Sequence, residues 1–114
     1  MQLFVFVLNR TEHLEHLLEA FCESGLKGAT VLESAGMARI LLNSDEDVPM
    51  FAGLRALLNP ERRQSKTIFM VLRDEQVETA KNIVNQVTGG LDAPDSGIMF
   101  ALPLTMVEGL NKRK

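Results

Sequence analysis

The sequence predicts an α+β fold in which one strand–helix–strand unit is used twice. An apolar strand at residues 4–8 leads into an amphipathic helical stretch that ends at Gly25. A second apolar strand, residues 68–72, leads into another such stretch that ends at Gly89 and Gly90. Because a further strand follows each helix, the order is βαββαβ, the ferredoxin-like arrangement with a four-stranded antiparallel sheet.

Four strands are expected from short runs that are rich in Val, Ile and Phe. They cover residues 2–8, 29–33, 66–72 and 97–102. In the first, third and fourth of them apolar side chains fall on both faces, since neighbouring side chains of a strand point in opposite directions. A sheet with one wet face would instead alternate apolar and polar residues. We therefore expect both faces of this sheet to be covered.

Two long helices are expected between these strands. The first begins near Asn9, which with Glu12 resembles a capping box, and its apolar residues recur at helical spacing. Cys22 lies beside that apolar stripe and is expected to pack as a small apolar side chain. Asp74 is expected to cap the second helix. The buried stripe of that helix is expected to contain Val77, Ala80, Val84 and Val87, with Ile83 at its margin.

The long connection between the second and third strands, residues 34–65, is the least regular part of the sequence. Within it, residues 48–58 predict a short helix, which Asp47 can cap and Pro49 can begin. Long connections in compact domains are typically functional or mobile. The many apolar residues of this connection fit either a partner-binding surface or a lid over the chain's own core.

Composition limits the class of protein. With 114 residues the chain is expected to form a single domain, 1–114, and its 46% hydrophobic content is enough for a core. The net charge of −3 disfavours binding to nucleic acid or to anionic membranes. No apolar run approaches the roughly 20 residues that span a bilayer, and the N-terminus lacks a basic leader. We therefore expect a cytoplasmic protein without membrane insertion, and its single cysteine fits a reducing compartment.

Two helices can cover only one face of a four-stranded sheet, so the other apolar face needs a different cover. Left open, that face would form a larger apolar patch than monomers usually carry. Another copy of the chain is the cover that we expect, so the sequence predicts an oligomer. The alternative is that residues 34–65 fold back over the sheet of their own chain.

Two stretches, residues 28–39 (GATVLESAGMAR) and residues 88–104, resemble PII-type nitrogen regulatory proteins. The order of strands and helices matches that family across nearly the whole chain. The resemblance implies a homotrimer of ferredoxin-like subunits whose sheets face inward. It also implies signal transduction without catalysis, in which clefts between subunits bind an adenine nucleotide or another small effector and the 34–65 connection contacts a target protein.

The resemblance also implies an effector site. A glycine after the second strand lets a ligand approach the backbone, and Arg39 pairs with a phosphate or carboxylate; the alternative is a turn glycine and a surface arginine. Amides between the second helix and the fourth strand can face an anion, or they form an ordinary helix cap and loop. Typical members have a phosphate-contacting lysine in that loop, where this chain has Asp95 and Ser96. The implied site residues are Gly36, Met37, Arg39, Gly89, Gly90 and Gly97.

His13 and His16 are three residues apart and can share a helix face. With a third ligand, such as Glu12 or Glu19, they would bind a metal ion; the alternative is a pair of solvated histidines. The sequence predicts no catalytic site, because no Cys–His pair and no paired carboxylates have a suitable spacing. The main hypothesis is a regulatory trimer, and the alternatives are a metal-binding or metal-tolerance trimer of the same fold and a small interaction module without a ligand.

Overall fold

The computed structural model describes residues 1–42 and 64–110. The strand predictions are confirmed to within one residue: β1 has the predicted bounds, β2 lies one residue further along, and β3 and β4 each gain one residue. The elements are β1 (Gln2–Leu8), a 3₁₀ turn (Thr11–His13), α1 (Leu14–Glu23), β2 (Thr30–Ser34), α2 (Met37–Leu42), β3 (Ser65–Leu72), α3 (Asp74–Thr88) and β4 (Gly97–Pro103).

The four strands form one antiparallel sheet in the order β2-β3-β1-β4. In the register of the central strand, Phe4 lies opposite Met70 on one side and Ala101 on the other. The α+β class and the four-stranded antiparallel sheet are therefore confirmed, and the strand order is compatible with a ferredoxin-like arrangement.

One face of the sheet packs against α1 and α3 to form the core. Ile83, which the sequence placed at the margin of the α3 stripe, is only 7% exposed and belongs to this core. None of the described helices is both long and apolar enough to cross a membrane. The core residues are Phe4, Phe6, Leu8, Leu17, Phe21, Leu26, Ile68, Met70, Leu72, Ala80, Ile83 and Val84.

The helix starts differ from the predictions. A 3₁₀ turn precedes α1, and Arg10, the residue before that turn, makes no side-chain capping bond, so the capping box of Asn9 and Glu12 is wrong. Asn9 instead donates its backbone N–H to the Ser96 carbonyl, 3.3 Å away, which ties it to the loop before β4. At α3, Asp74 is the first helical residue rather than the cap.

Cys22 is exposed, so its predicted packing as a core side chain is wrong. The buried stripe of α1 runs through Leu17 and Phe21. Each helical residue is rotated about 100° from the one before it, which turns Cys22 away from that stripe.

The connection at residues 34–65 contains a helix, α2, that the sequence analysis did not predict. Six residues of this connection, Met37–Leu42, form the helix, and the Ile40 N–H donates to the Gly36 carbonyl at its start, 3.1 Å away. The short helix predicted at 48–58 lies outside the described residues.

The side chains that alternate with the core residues point to the opposite side of the sheet, which we call the exposed face. In the register, Val5, which is itself only 6% exposed, lies between Phe69 and Phe100 on this face. Along the edge strand β4, Ile98, Phe100 and Leu102 are 58%, 48% and 40% exposed. The apolar members of the exposed face are Leu3, Val5, Val7, Leu32, Phe69, Val71, Ile98, Phe100 and Leu102.

Candidate functional site

The six predicted site residues lie at one end of the sheet, which we call the site end. There β1 and β2 finish while β3 and β4 begin, because Leu8 pairs with Gly97 and Ser34 pairs with Ser65. The helix α3 runs back along the sheet and ends at the same end, which brings Gly89 there. Antiparallel strand order therefore gathers residues from three separate stretches of the chain.

The centre of the site end is a buried ion pair between Arg39 and Asp95. The Arg39 Nη2 atom lies 2.5 Å from the Asp95 Oδ2 atom, and each side chain is only 7% exposed. The pair joins α2 to the loop before β4. Arg39 was predicted to pair with a phosphate or a carboxylate, and in this structure its partner is a carboxylate of its own chain.

The loop that carries Asp95 is fixed by hydrogen bonds on both sides of this residue. The Ser96 hydroxyl donates to the Ala93 carbonyl, 2.7 Å away, and the Arg10 guanidinium donates to the Pro94 carbonyl, 3.3 Å away. Asp95 itself has a backbone φ of 62°, a left-handed conformation that Asp and Asn tolerate better than most residues. The loop therefore presents the carboxylate to Arg39 from a defined backbone.

Gly97 is the first residue of β4 and lies against β1. Its φ is 139°, and a Cβ atom there would be 2.2 Å from the Val7 carbonyl oxygen and 3.1 Å from the Phe6 ring. Only glycine fits such a position without displacing the backbone. The close backbone approach at Gly97 is therefore an approach to the neighbouring strand.

The other glycines of the predicted site have different surroundings. Gly89 caps α3 with φ 80° and donates its N–H to the Asn85 carbonyl, 3.0 Å away. The Gly90 N–H donates to the Thr88 hydroxyl, 3.2 Å away. Both amides are thus hydrogen-bonded within the chain, as the helix-cap alternative predicts. Gly36 has open space around it, and Met37 is 77% exposed.

Three hydroxyls at the corner of β2 and β3 form a cluster that the sequence analysis missed. The Ser34 Oγ atom lies 2.8 Å from Ser65 Oγ and 2.7 Å from Thr67 Oγ1. Because the Ser65 hydroxyl donates to the Ser34 carbonyl, 3.2 Å away, Ser34 donates to Ser65 and Thr67 donates to Ser34. The signal was present as Ser65 and Thr67, two residues apart at the start of β3, but it required the β2–β3 register.

On the helix side of the same corner, Lys66 pairs with Glu33. The Lys66 Nζ atom lies 2.7 Å from Glu33 Oε1. The hydrogen bond and the charge of Lys66 hold the pKa of the Glu33 carboxyl below its ordinary value of 4.5.

Replacing Lys66 with Gln should raise the pKa of Glu33 toward its ordinary value, as measured by NMR titration of the carboxyl carbon. Because the folded-state pKa is depressed, the contribution of this pair to stability is present above the unfolded pKa and is lost as the pH falls through the folded pKa. Lys81→Gln, which removes an exposed partner of Glu78, serves as the control and should leave the Glu33 titration unchanged. An equal midpoint in the wild type and in Lys66→Gln would contradict the assignment.

The predicted histidine pair lies on exposed and half-buried positions of the first helical segment. His16 is exposed and His13 is half-buried. Within residues 1–42 and 64–110, no three His, Cys, Asp or Glu side chains are grouped so that they could hold a metal ion.

A groove at the opposite end of the sheet, with a volume of about 440 Å³, is lined by the first residue and by the chain that follows β4. Its lining includes Met1, Leu104, Met106 and Leu110 and none of the predicted site residues.

Comparison with protein-family models finds no match to this chain, and comparison with curated proteins finds none either. The case for a function therefore depends on the geometry of the site end and the exposed face.

Proposed function

We propose that this chain is a non-enzymatic regulatory protein that works as a homotrimer of the PII-like type. In this proposal the trimer senses a small effector at the clefts between subunits and contacts a target protein through residues 34–65. An adenine nucleotide is the effector class that the resemblance implies. Arg39, at the site end, is the residue that we expect to contact the effector's phosphate or carboxylate groups.

The observation that carries this proposal is the apolar character of the exposed face. Three large side chains of β4 remain between 40% and 58% exposed, next to the apolar residues of β1 and β3. Burial of each such side chain contributes about 1.5–3 kcal/mol. Burial of the exposed members of this face, these three and Leu32, is therefore of the same order as the lower part of the roughly 4–15 kcal/mol that association costs. Sheet-to-sheet contact between copies would remove this patch from water.

The site end gives the proposal its sensing element. Residues that follow β2, α3 and the loop before β4 lie together there, although they are distant in the sequence. A ligand bound at this end would contact both the start of the 34–65 connection and the loop that holds Asp95. Its binding would then be linked to partner binding by a single coupling free energy.

Native mass spectrometry of gently purified protein tests the assembly. We expect a species at about 38 kDa, three times the subunit mass of 12.7 kDa, which can also carry a retained small molecule. A single 12.7 kDa species at micromolar concentration would contradict the proposed trimer and, with it, the proposed effector sites between subunits.

Arg39→Gln tests the effector site. Loss of a charge-assisted hydrogen bond should weaken ATP binding by about tenfold to a hundredfold in titration calorimetry. Arg73→Gln is the matched control, because it removes the same charge from an exposed position at the start of α3, where the affinity should not change. Equal affinities in the wild type and in Arg39→Gln would remove Arg39 from the effector site.

A further inference from the structure

A buried ion pair joins helix α2 to the loop before β4. Met37 and Ile40 are 77% and 58% exposed, and none of the α2 side chains at residues 37–41 belongs to the core cluster. Arg39, by contrast, is only 6% exposed and reaches Asp95 in the loop before β4. A six-residue helix depends on tertiary contacts of this kind, because short helices are marginal by themselves.

The same contact already places an anion on Arg39. A buried guanidinium needs a partner, because an unpaired charge out of water is strongly unfavourable. The carboxylate of Asp95 supplies that partner from within the chain, at 2.5 Å. Any phosphate or carboxylate that reaches Arg39 from solution must compete with this tethered group, whose effective concentration is high because the loop is fixed by its own hydrogen bonds.

We propose that Asp95 is an internal occupant of an anion site centred on Arg39. A phosphate or carboxylate group binds there by displacing the Asp95 side chain, and this displacement releases α2 from the loop before β4. The anion site rests on the proposed function, which places the effector's phosphate or carboxylate at Arg39, whereas the release of α2 on loss of the ion pair does not. The ion pair is in this sense an autoinhibitory contact that an anionic ligand reverses.

Asp95→Asn is the variant that tests this proposal most directly. Asparagine has nearly the same shape, tolerates the left-handed backbone of this position and removes only the charge. Asp92→Asn is the matched control, because Asp92 is exposed in the same loop and its replacement changes the net charge by the same amount. Arg39→Gln breaks the same ion pair but removes the anion-binding group.

Pyrophosphate is the probe, and titration calorimetry is the first measurement. We expect Asp95→Asn to bind pyrophosphate at least about tenfold more tightly than the wild type, because the internal competitor has lost its charge. Asp92→Asn and Arg39→Gln should show no such gain. The proposal is overturned if Asp95→Asn gains nothing, or if Asp92→Asn gains as much, since the effect would then be one of net charge.

Amide hydrogen exchange of residues 37–42 is the second measurement. Both Asp95→Asn and Arg39→Gln should raise exchange in α2 by about tenfold or more, and Asp92→Asn should not. Unchanged exchange in both pair-breaking variants would show that α2 is held by something else and would overturn the release. Should Asp95→Asn fail to fold, Asp95→Gly keeps the backbone conformation without the carboxylate and gives the same test. A monomeric protein would defeat the proposed trimer without affecting either measurement.

Discussion

Phe100→Asp is expected to convert the proposed trimer into single subunits. Phe100 is 48% exposed and lies beside Val5 near the middle of the exposed face. In the proposed trimer its ring is buried between copies, so the substitution would place a carboxylate in an apolar contact. An unpaired charge in such a place costs on the order of several kcal/mol per subunit, and three subunits would each carry one. Sedimentation velocity and native mass spectrometry should then report 12.7 kDa particles.

The control for this prediction is Asn82→Asp, which adds the same charge to an exposed position of α3. Asn82 lies on the helix side of the sheet, so this substitution should leave the proposed trimer intact. A trimer that survives Phe100→Asp would mean that the exposed face is not the contact between copies. Circular dichroism of both variants separates loss of assembly from loss of folding, because the core residues lie on the other side of the sheet.

Gly97→Ala is expected to lower the free energy of unfolding by about 2–5 kcal/mol. The added Cβ would come within 2.2 Å of the Val7 carbonyl oxygen, which is backbone and cannot move aside alone. The residue also has a φ of 139°, which alanine rarely adopts. Both effects act where β4 begins its pairing with β1. The clash and the backbone strain can therefore be relieved only if β4 separates locally from β1. Urea unfolding followed by circular dichroism measures the change.

Gly36→Ala is the control for this substitution. Nothing lies within 4 Å of a Cβ built at Gly36, so the free energy of unfolding should change by no more than about 1 kcal/mol. Equal stabilities of the two variants would mean that β4 can shift away from β1 at little cost, and the account of Gly97 as a structural glycine would be wrong.

The fold was largely predictable because local patterns decide it. Residues 3–8 and 68–72 are apolar at every position and are bounded by polar residues, a pattern that indicates buried strands. The two long helices are indicated by apolar residues that recur at helical spacing. Boundaries that depend on a single hydrogen bond were less predictable. The sequence around Asn9 resembles a helix cap, but the Asn9 backbone N–H donates to the carbonyl of Ser96. Ser96 is distant in the sequence and comes close to Asn9 only in the folded sheet.

The structure brings the predicted site residues to one end of the sheet, but it gives Arg39 a partner that the sequence did not indicate. The glycines and Arg39 lie near the ends of strands and helices in the sequence. They come together because alternate strands of an antiparallel sheet end and begin at the same edge. The partner of Arg39 was not predictable, since Asp95 is 56 residues away and nothing local distinguishes it from Asp92. The hydroxyl cluster of Ser34, Ser65 and Thr67 was missed for the same reason: it exists only once the register of β2 against β3 is known.

The exposed position of Cys22 has a practical consequence for all work on assembly. It is the single thiol of the chain, and it projects from α1, on the layer opposite the exposed face. Oxidation in air would form a disulfide between the Cys22 residues of two chains. The resulting covalent dimers would be joined through α1 and not through the exposed face of the sheet. Kept reduced and then alkylated with a maleimide dye, the same thiol gives one fluorophore per chain, so that stepwise photobleaching counts the subunits directly.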